Sequence, residues 1–226
     1  MKKILNFVKN ALFPKRCMVC QSVIEPCRIF CEVCESKIEM LPKDYDVKES
    51  FGTENLYFDD IAAPFLYENA PREIMINFKF HGMKENGRYL GEKMYEAFSD
   101  KFKADYDGVI YVPTTAKRLR ERGFNPAKVL AEVFCEKSGI PLLNGVFVRN
   151  PKSLTQHNLS YAERKENAAA SYDFGKNPTG KGRYILIDDI CTSGSTLNYI
   201  SKLLKNNGAD EVICIVACAG SNTAQK

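Results

Sequence analysis

Long hydrophobic runs are missing from this chain of 226 residues. None approaches the roughly 20 apolar residues that a bilayer-spanning helix requires, so no membrane span is expected. The first fourteen residues carry lysines and a few apolar side chains, but Lys9 and Asn10 interrupt them and no small-residue cleavage site follows. A secretory signal is therefore not expected, and a cytoplasmic location is the default. Ile4, Leu5, Val8, Leu12 and Phe13 fall on one face of a short helix, which docks on the protein's own surface or, in the alternative, on a membrane. Charge of one sign is not in great excess either: the net value is +4, so composition alone does not announce a nucleic-acid binder. Histidine is scarce, two in all. His81 has no neighbour with which to share a metal and reads as a surface or capping residue. Neither Gly-x4-Gly-Lys-Ser/Thr nor a strand followed by Gly-x-Gly-x-x-Gly occurs, which excludes the two commonest phosphate-binding loops. No internal repeat or low-complexity segment is present.

Cysteine, by contrast, is concentrated. Five of nine lie between Cys17 and Cys34, as Cys17-x2-Cys20, a ten-residue gap holding Cys27, and Cys31-x2-Cys34. Two Cys-x2-Cys pairs without a secretory signal read as a thiolate metal site before they read as disulfides. Each pair makes a knuckle with both sulfurs on one side. Two knuckles close a four-sulfur shell for structural Zn2+, with no position left open for catalysis. An iron–sulfur cluster or redox dithiols are the alternatives. Lys15, Arg16 and Arg28 are expected to offset part of the thiolate charge. Cys27 lacks a partner at that spacing and stays outside the set. Cys135, Cys191, Cys214 and Cys218 lie in apolar contexts and read as core.

The stretch around which the rest is organised runs from Tyr184 to Thr196. Tyr184 to Ile187 is apolar without alternation, as in a parallel strand buried on both faces. Asp188 and Asp189 follow, then Thr192-Ser193-Gly194-Ser195-Thr196, then Leu197, Ile200, Leu203 and Leu204 at helical spacing up to Asn207-Gly208. The free amides at a helix start favour an anion, the hydroxyls add donors, and Gly194 lets backbone approach a phosphate closely. Two carboxylates would repel that phosphate unless they face hydroxyls or Mg2+, so a sugar phosphate fits both ends. The plain alternative is an ordinary strand–helix turn with two solvated acids.

The remaining chain supplies the frame. A polar stretch, 43–55, reads as a linker between a metal module at 1–42 and a main domain at 56–220. Ile61 to Tyr67 predicts a strand in which Pro64 argues for an edge or a bulge. Helices are expected from Pro71, carrying Ile74, Met75, Phe78 and Lys79, and over 87–98. Asp107 to Pro113 predicts a second buried strand. It leads into a loop rich in Lys and Arg, Thr114 to Asn125, at the edge where open α/β sheets bind ligands. Such a loop is either a solvated basic turn or a receptor for a second polyanion such as pyrophosphate. Phe124, among the cations, is a candidate to stack on a base of single-stranded nucleic acid. Asn125-Pro126 starts a helix over 127–137, ended by Gly139. A strand region over 142–149, a long polar run over 150–170 that reads as a lid or binding loop, a last strand over 211–218 and a dispensable tail complete the chain.

The segment from Tyr184 to Thr196 resembles the 5-phosphoribosyl-1-diphosphate (PRPP) motif of type I phosphoribosyltransferases. The wider pattern resembles the ComF family, in its ComFC branch: the cysteine knuckles, Arg118-x3-Arg122-Gly123-Phe124-Asn125, the run Thr155-Gln156, Leu159-Ser160, Arg164 and Asn167, and Asp188-Asp189 through Thr196. The resemblance implies an α/β type I phosphoribosyltransferase fold, a parallel sheet flanked by helices, behind a small four-cysteine zinc module with ligands Cys17, Cys20, Cys31 and Cys34. It implies that Asp188 and Asp189 hold the ribose as the catalytic pair and that Thr192, Ser193, Gly194, Ser195 and Thr196 wrap the 5-phosphate. Lys117 and Arg118, with Thr115, would take the pyrophosphate, and Mg2+ would accompany PRPP. It further implies a part in natural transformation, with single-stranded DNA and a DNA-uptake helicase as partners. The alternative is an active phosphoribosyltransferase of nucleotide salvage. Cys191 stands where the family more often has an aliphatic residue, and Pro113-Thr114-Thr115 replaces the more usual Pro-Val-Pro.

Overall fold

The computed structural model of the chain describes residues 14–49, 56–149 and 171–220. The expected N-terminal amphipathic face, the second half of the 43–55 linker, the 150–170 run and the tail fall outside these residues.

The central strand is β6, Gly182–Cys191. It pairs in parallel with β7, Ala209–Ala219, on one side and with β3, Gly108–Tyr111, on the other. On the far side of β7, β1 (Asp60–Ala62) and β2 (Phe65–Leu66) both pair in parallel with it, so Pro64 marks the break in an interrupted edge strand. The lack of alternation in the strands has a direct cause. Ile185, Ile187, Ile213 and Ile215 enter one core, while Tyr184, Leu186, Val212 and Cys214 enter the other. With both faces covered, successive side chains on opposite sides are all buried.

Helix α1, Glu32–Glu35, belongs to the cysteine module. The helices α2 (Asn69–Phe80), α3 (Lys84–Lys101) and α5 (Pro126–Ser138) cover the first core, and α6 (Ser195–Asn206) covers the second. Helices α3 and α5 meet at Gly91, where an added Cβ would stand 2.7 Å from Val133 Cβ and 3.3 Å from the Leu130 carbonyl oxygen. Strands β4 (Phe147–Arg149) and β5 (Tyr172–Phe174) form a separate antiparallel pair.

The basic stretch predicted as a loop is instead helical over α4, Ala116–Arg122. Thr115 Oγ1 accepts from the Arg118 amide at 3.1 Å, and Gly123, at φ 78°, closes the other end by donating to the Leu119 carbonyl. None of its residues is buried, so no apolar period betrays the helix in the sequence. Phe124 is also corrected: its ring lies 5.3 Å from that of Phe78 and joins the first core, so it does not stand free among the cations.

The cysteine module is docked on the main sheet's first core rather than hung from it. Met18 and Phe30 are buried in that core, and the Phe30 ring meets the Tyr89 ring edge-on at 5.2 Å. Two buried asparagines hold the backbone between the first two cysteines. Asn77 Nδ2 donates to the carbonyls of Met18 and Val19, each at 2.9 Å, and Asn86 Nδ2 donates to Met18 at 3.1 Å and to Ile74 at 3.0 Å. Gln21 Nε2 completes the clasp by donating to Asn77 Oδ1 at 2.6 Å. No helix among the described residues is long and apolar enough to cross a membrane.

Candidate functional site

Strand β6 carries its ladder past the acidic pair, with Asp188 opposite Val216 and Cys191 opposite Ala219. The sheet therefore fixes the carboxylates at its carboxyl edge. Asp188 Oδ1 accepts from the Asp189 amide at 2.8 Å. Asp189 Oδ2 pairs with Lys79 Nζ at 2.8 Å, with the two side chains 18% and 12% exposed. Burial, then the charge of Asp189, pushes the Asp188 carboxyl up to about 8, against the opposing pull of the Asp189 amide, Lys79 and Arg149.

These acids form one wall of a cavity of about 230 Å³. The chain after β3, α4 and the cap of α5 contribute Val112, Pro113, Thr114, Arg118, Arg122 and Asn125 to its lining. Lys79, Tyr67 and Arg149 complete the lining, with the exposed Phe80 at its rim. Four cations thus face two carboxylates, a composition suited to a ligand with more than one anionic group and a neutral hydroxylated part. The Arg-Gly-Phe-Asn element now has a physical reading. Arg122 reaches the cavity, Gly123 takes the left-handed turn, Phe124 anchors in the core, and Asn125 joins two elements. Its Nδ2 donates to the Val112 carbonyl at 3.0 Å while its Oδ1 caps α5 at the Ala127 amide at 3.2 Å.

The hydroxyl loop is open to solvent at Thr192 and Ser193 and half-buried at Ser195 and Thr196; only Gly194 is buried. Gly194 adopts φ 67° at the start of α6, and no side chain caps the helix, so its first amides keep the capacity to bind an anion. Ser193 Oγ and Ser195 Oγ lie 3.0 Å apart. Cys191, packed beneath, accepts from the Gly194 amide, and burial raises its thiol to about 12. The cavity lining reaches Asp189 but not Thr192 to Thr196, so the loop stands beyond the cavity rather than within its wall. Of the cationic candidates, Arg118 lines the cavity. Lys117 is 80% exposed and faces Glu121 at 3.9 Å, and Thr115 serves as the helix cap. Lys79 and Arg149 were not singled out from sequence as site residues; only the tertiary fold brings them to Asp188 and Asp189.

The second site is the cysteine cluster. The sulfurs of Cys17, Cys20, Cys31 and Cys34 all lie within 4.8 Å of one another, and the Cys20 and Cys31 sulfurs are 3.7 Å apart. A tetrahedral zinc with bonds of about 2.3 Å needs sulfurs about 3.8 Å apart, so the four fit a closed metal shell. Hydrogen bonding from Ser22 lowers the Cys20 thiol to about 6, whereas burial raises that of Cys34 to about 12. Cys27 is exposed, 3.9 Å from Glu25, and no member of the cluster. The cations expected to offset the thiolates are engaged elsewhere. Lys15 pairs with Glu85 at 3.4 Å, Arg28 with Glu32 and Glu35 at 3.1 and 2.6 Å, and Arg16 donates to the Gln21 carbonyl. The remaining four cysteines are buried or, for Cys135, half-buried, as expected of core residues.

Residues 119–226 match the family model described as the phosphoribosyl transferase domain. The chain is 35% identical over 149 residues to Competence protein F of Haemophilus influenzae, covering 63% of this chain and 65% of that protein, just under two thirds of its length. It is 29% identical over 225 residues to Competence protein ComFC of Streptococcus pneumoniae, covering 94% and 93% of the two chains. To Competence protein ComFC of Bacillus subtilis it is 25% identical over 199 residues, covering 86% and 79%.

Proposed function

We propose, because the chain belongs to the ComF family and carries a type I phosphoribosyltransferase domain behind a four-cysteine module, that it binds PRPP with Mg2+ and assists the handling of single-stranded DNA in competence. The observation that carries the sugar-phosphate part is the single cavity in which Asp188 and Asp189 face Arg118, Arg122, Lys79 and Arg149. In this reading Asp188 and Asp189 orient the ribose hydroxyls. The hydroxyls and free amides of Thr192 to Thr196 take the 5-phosphate, and Arg118 and Arg122 take the pyrophosphate. The paired carboxylates offer hard oxygen ligands suited to Mg2+, which would neutralise the charge of the leaving pyrophosphate. Cys17, Cys20, Cys31 and Cys34 would hold a structural zinc, whose role is to fold the segment that Asn77 and Asn86 clasp. The division into a metal module at 1–42, a linker at 43–55 and a catalytic-type domain at 56–220 belongs to the same proposal, as does a cytoplasmic setting beside a DNA-uptake helicase.

Calorimetric titration of Mg·PRPP into the wild type and into Asp189→Asn tests the sugar-phosphate assignment. Binding by the wild type and a loss in the variant is expected; equal binding in both, or none in either, defeats it. A second reading, turnover with release of pyrophosphate, is favoured by one observation. Asp188 and Asp189 share one cavity with Arg118 and Arg122, so the groups that would orient a ribose and those that would hold a leaving pyrophosphate stand together. Pyrophosphate release measured across nucleobases and amines decides between binding and turnover.

A further inference from the structure

The candidate for base stacking in the basic stretch, Phe124, is spent on the core, yet another aromatic stands at the cavity. Phe80, the last residue of α2, is 63% exposed while still lining the cavity, so its ring is presented to whatever enters there. The Arg122 guanidinium lies 4.6 Å from its ring centroid. One residue earlier, Lys79 holds Asp189. Helix α4 then extends this edge with Lys117, Arg118 and Arg120 against the single acid Glu121, and none of its residues is buried. An aromatic ring, a planar cation against it and a row of cations beside it form the combination that receives unpaired bases with their phosphates.

We propose that Phe80 and Arg122 form a stacking platform for an unpaired nucleobase at the rim of the sugar-phosphate cavity. The base comes from one of two sources, a single strand whose backbone follows Lys117, Arg118 and Arg120, or a free base presented to the bound sugar. The second source rests on the PRPP reading; the first does not. Arg122 serves both neighbours, because it lines the cavity and lies against the ring.

The chain contains no tryptophan, so Phe80→Trp installs a single indole at the platform, one that can be excited apart from the eleven tyrosines. That variant is titrated with a single-stranded oligonucleotide, a duplex of equal length, and free adenine with and without Mg·PRPP. Saturable quenching by the single strand but not the duplex assigns the strand as source. Quenching by adenine only when Mg·PRPP is present assigns the free base. Phe80→Leu is expected to weaken whichever ligand quenches by about tenfold, and Phe80→Tyr to preserve it. Calorimetry with Mg·PRPP alone runs alongside: its failure removes the cavity reading while leaving a strand-dependent quench intact. Absence of quenching by every base-bearing ligand, or binding of the quenching ligand by Phe80→Leu equal to that of the wild type, overturns the platform. The position is exposed, so none of these substitutions threatens the fold.

Discussion

Lys79 Nζ lies 2.8 Å from Asp189 Oδ2, and both side chains are more than four-fifths buried. The pair joins the end of α2 to the carboxyl edge of β6 as a close, largely buried ion pair. Removing the ammonium leaves two neighbouring carboxylates with only Arg149 and the cations of α4 nearby. Lys79→Met is therefore expected to lower stability by on the order of 1–3 kcal/mol, with part of the loss restored by millimolar Mg2+. Thermal melts with and without the cation check it; a variant as stable as the wild type, or one indifferent to Mg2+, contradicts the account.

Asp188 carries a pH signature. Its carboxyl is raised from an ordinary 3.8 to about 8, first by burial and then by Asp189. A raised acid holds in the folded chain a proton that the unfolded chain has released. Its contribution to stability is full below about pH 4 and is lost progressively as pH rises toward 8. Asp188→Asn escapes that loss. Urea midpoints measured from pH 5 to 9 should show the variant gaining on the wild type up to about pH 8 and level thereafter. A gap independent of pH would show that the carboxyl is not raised.

Gly91 is a contact that permits no side chain. An added Cβ would press on Val133 Cβ and on the Leu130 carbonyl, backbone and branched carbon that cannot swing aside. Gly91→Ala is expected to destabilise by about 1–3 kcal/mol despite the better helix propensity of alanine. A chemical denaturation curve shifted the other way would mean that α3 and α5 are free to part.

The cysteine module shares a core with the main domain, through Met18 and Phe30. Stripping metal with a chelator, or replacing Cys20 by serine, is expected to lower a single calorimetric transition rather than to create a second one. Asn77→Ala, which removes the Val19 carbonyl's side-chain donor and leaves that of Met18 to Asn86 alone, should cost about 2 kcal/mol and weaken the cluster's hold on an added metal ion. Two separate transitions would indicate an independent module.

How much of this was legible beforehand follows from what each residue announces locally. Strand β6 is evident because four apolar residues precede two acids. The start of α5 is evident because Asn125 and Pro126 carry capping and first-turn chemistry that needs no tertiary partner. Helix α4 escaped because it buries nothing, leaving only its two end signals, Thr115 and Gly123. The fate of Phe124 and the exposure of Phe80 were undecidable for a related reason: both are phenylalanines beside cations, and only the packing of α2 against the turn after α4 separates core from rim. Lys79 and Arg149 reach the acidic pair across long stretches of chain, and no local period encodes that meeting.

The two ends of the cavity are built to different standards of rigidity. The carboxylates follow directly on a strand stretch paired on both flanks and stay laddered to β7, while the guanidiniums of Arg118 and Arg122 ride on a short helix that buries none of its residues. Were an anion to enter as proposed, the adjustment is expected to be one-sided, with the cationic edge yielding and the acidic edge serving as the fixed reference.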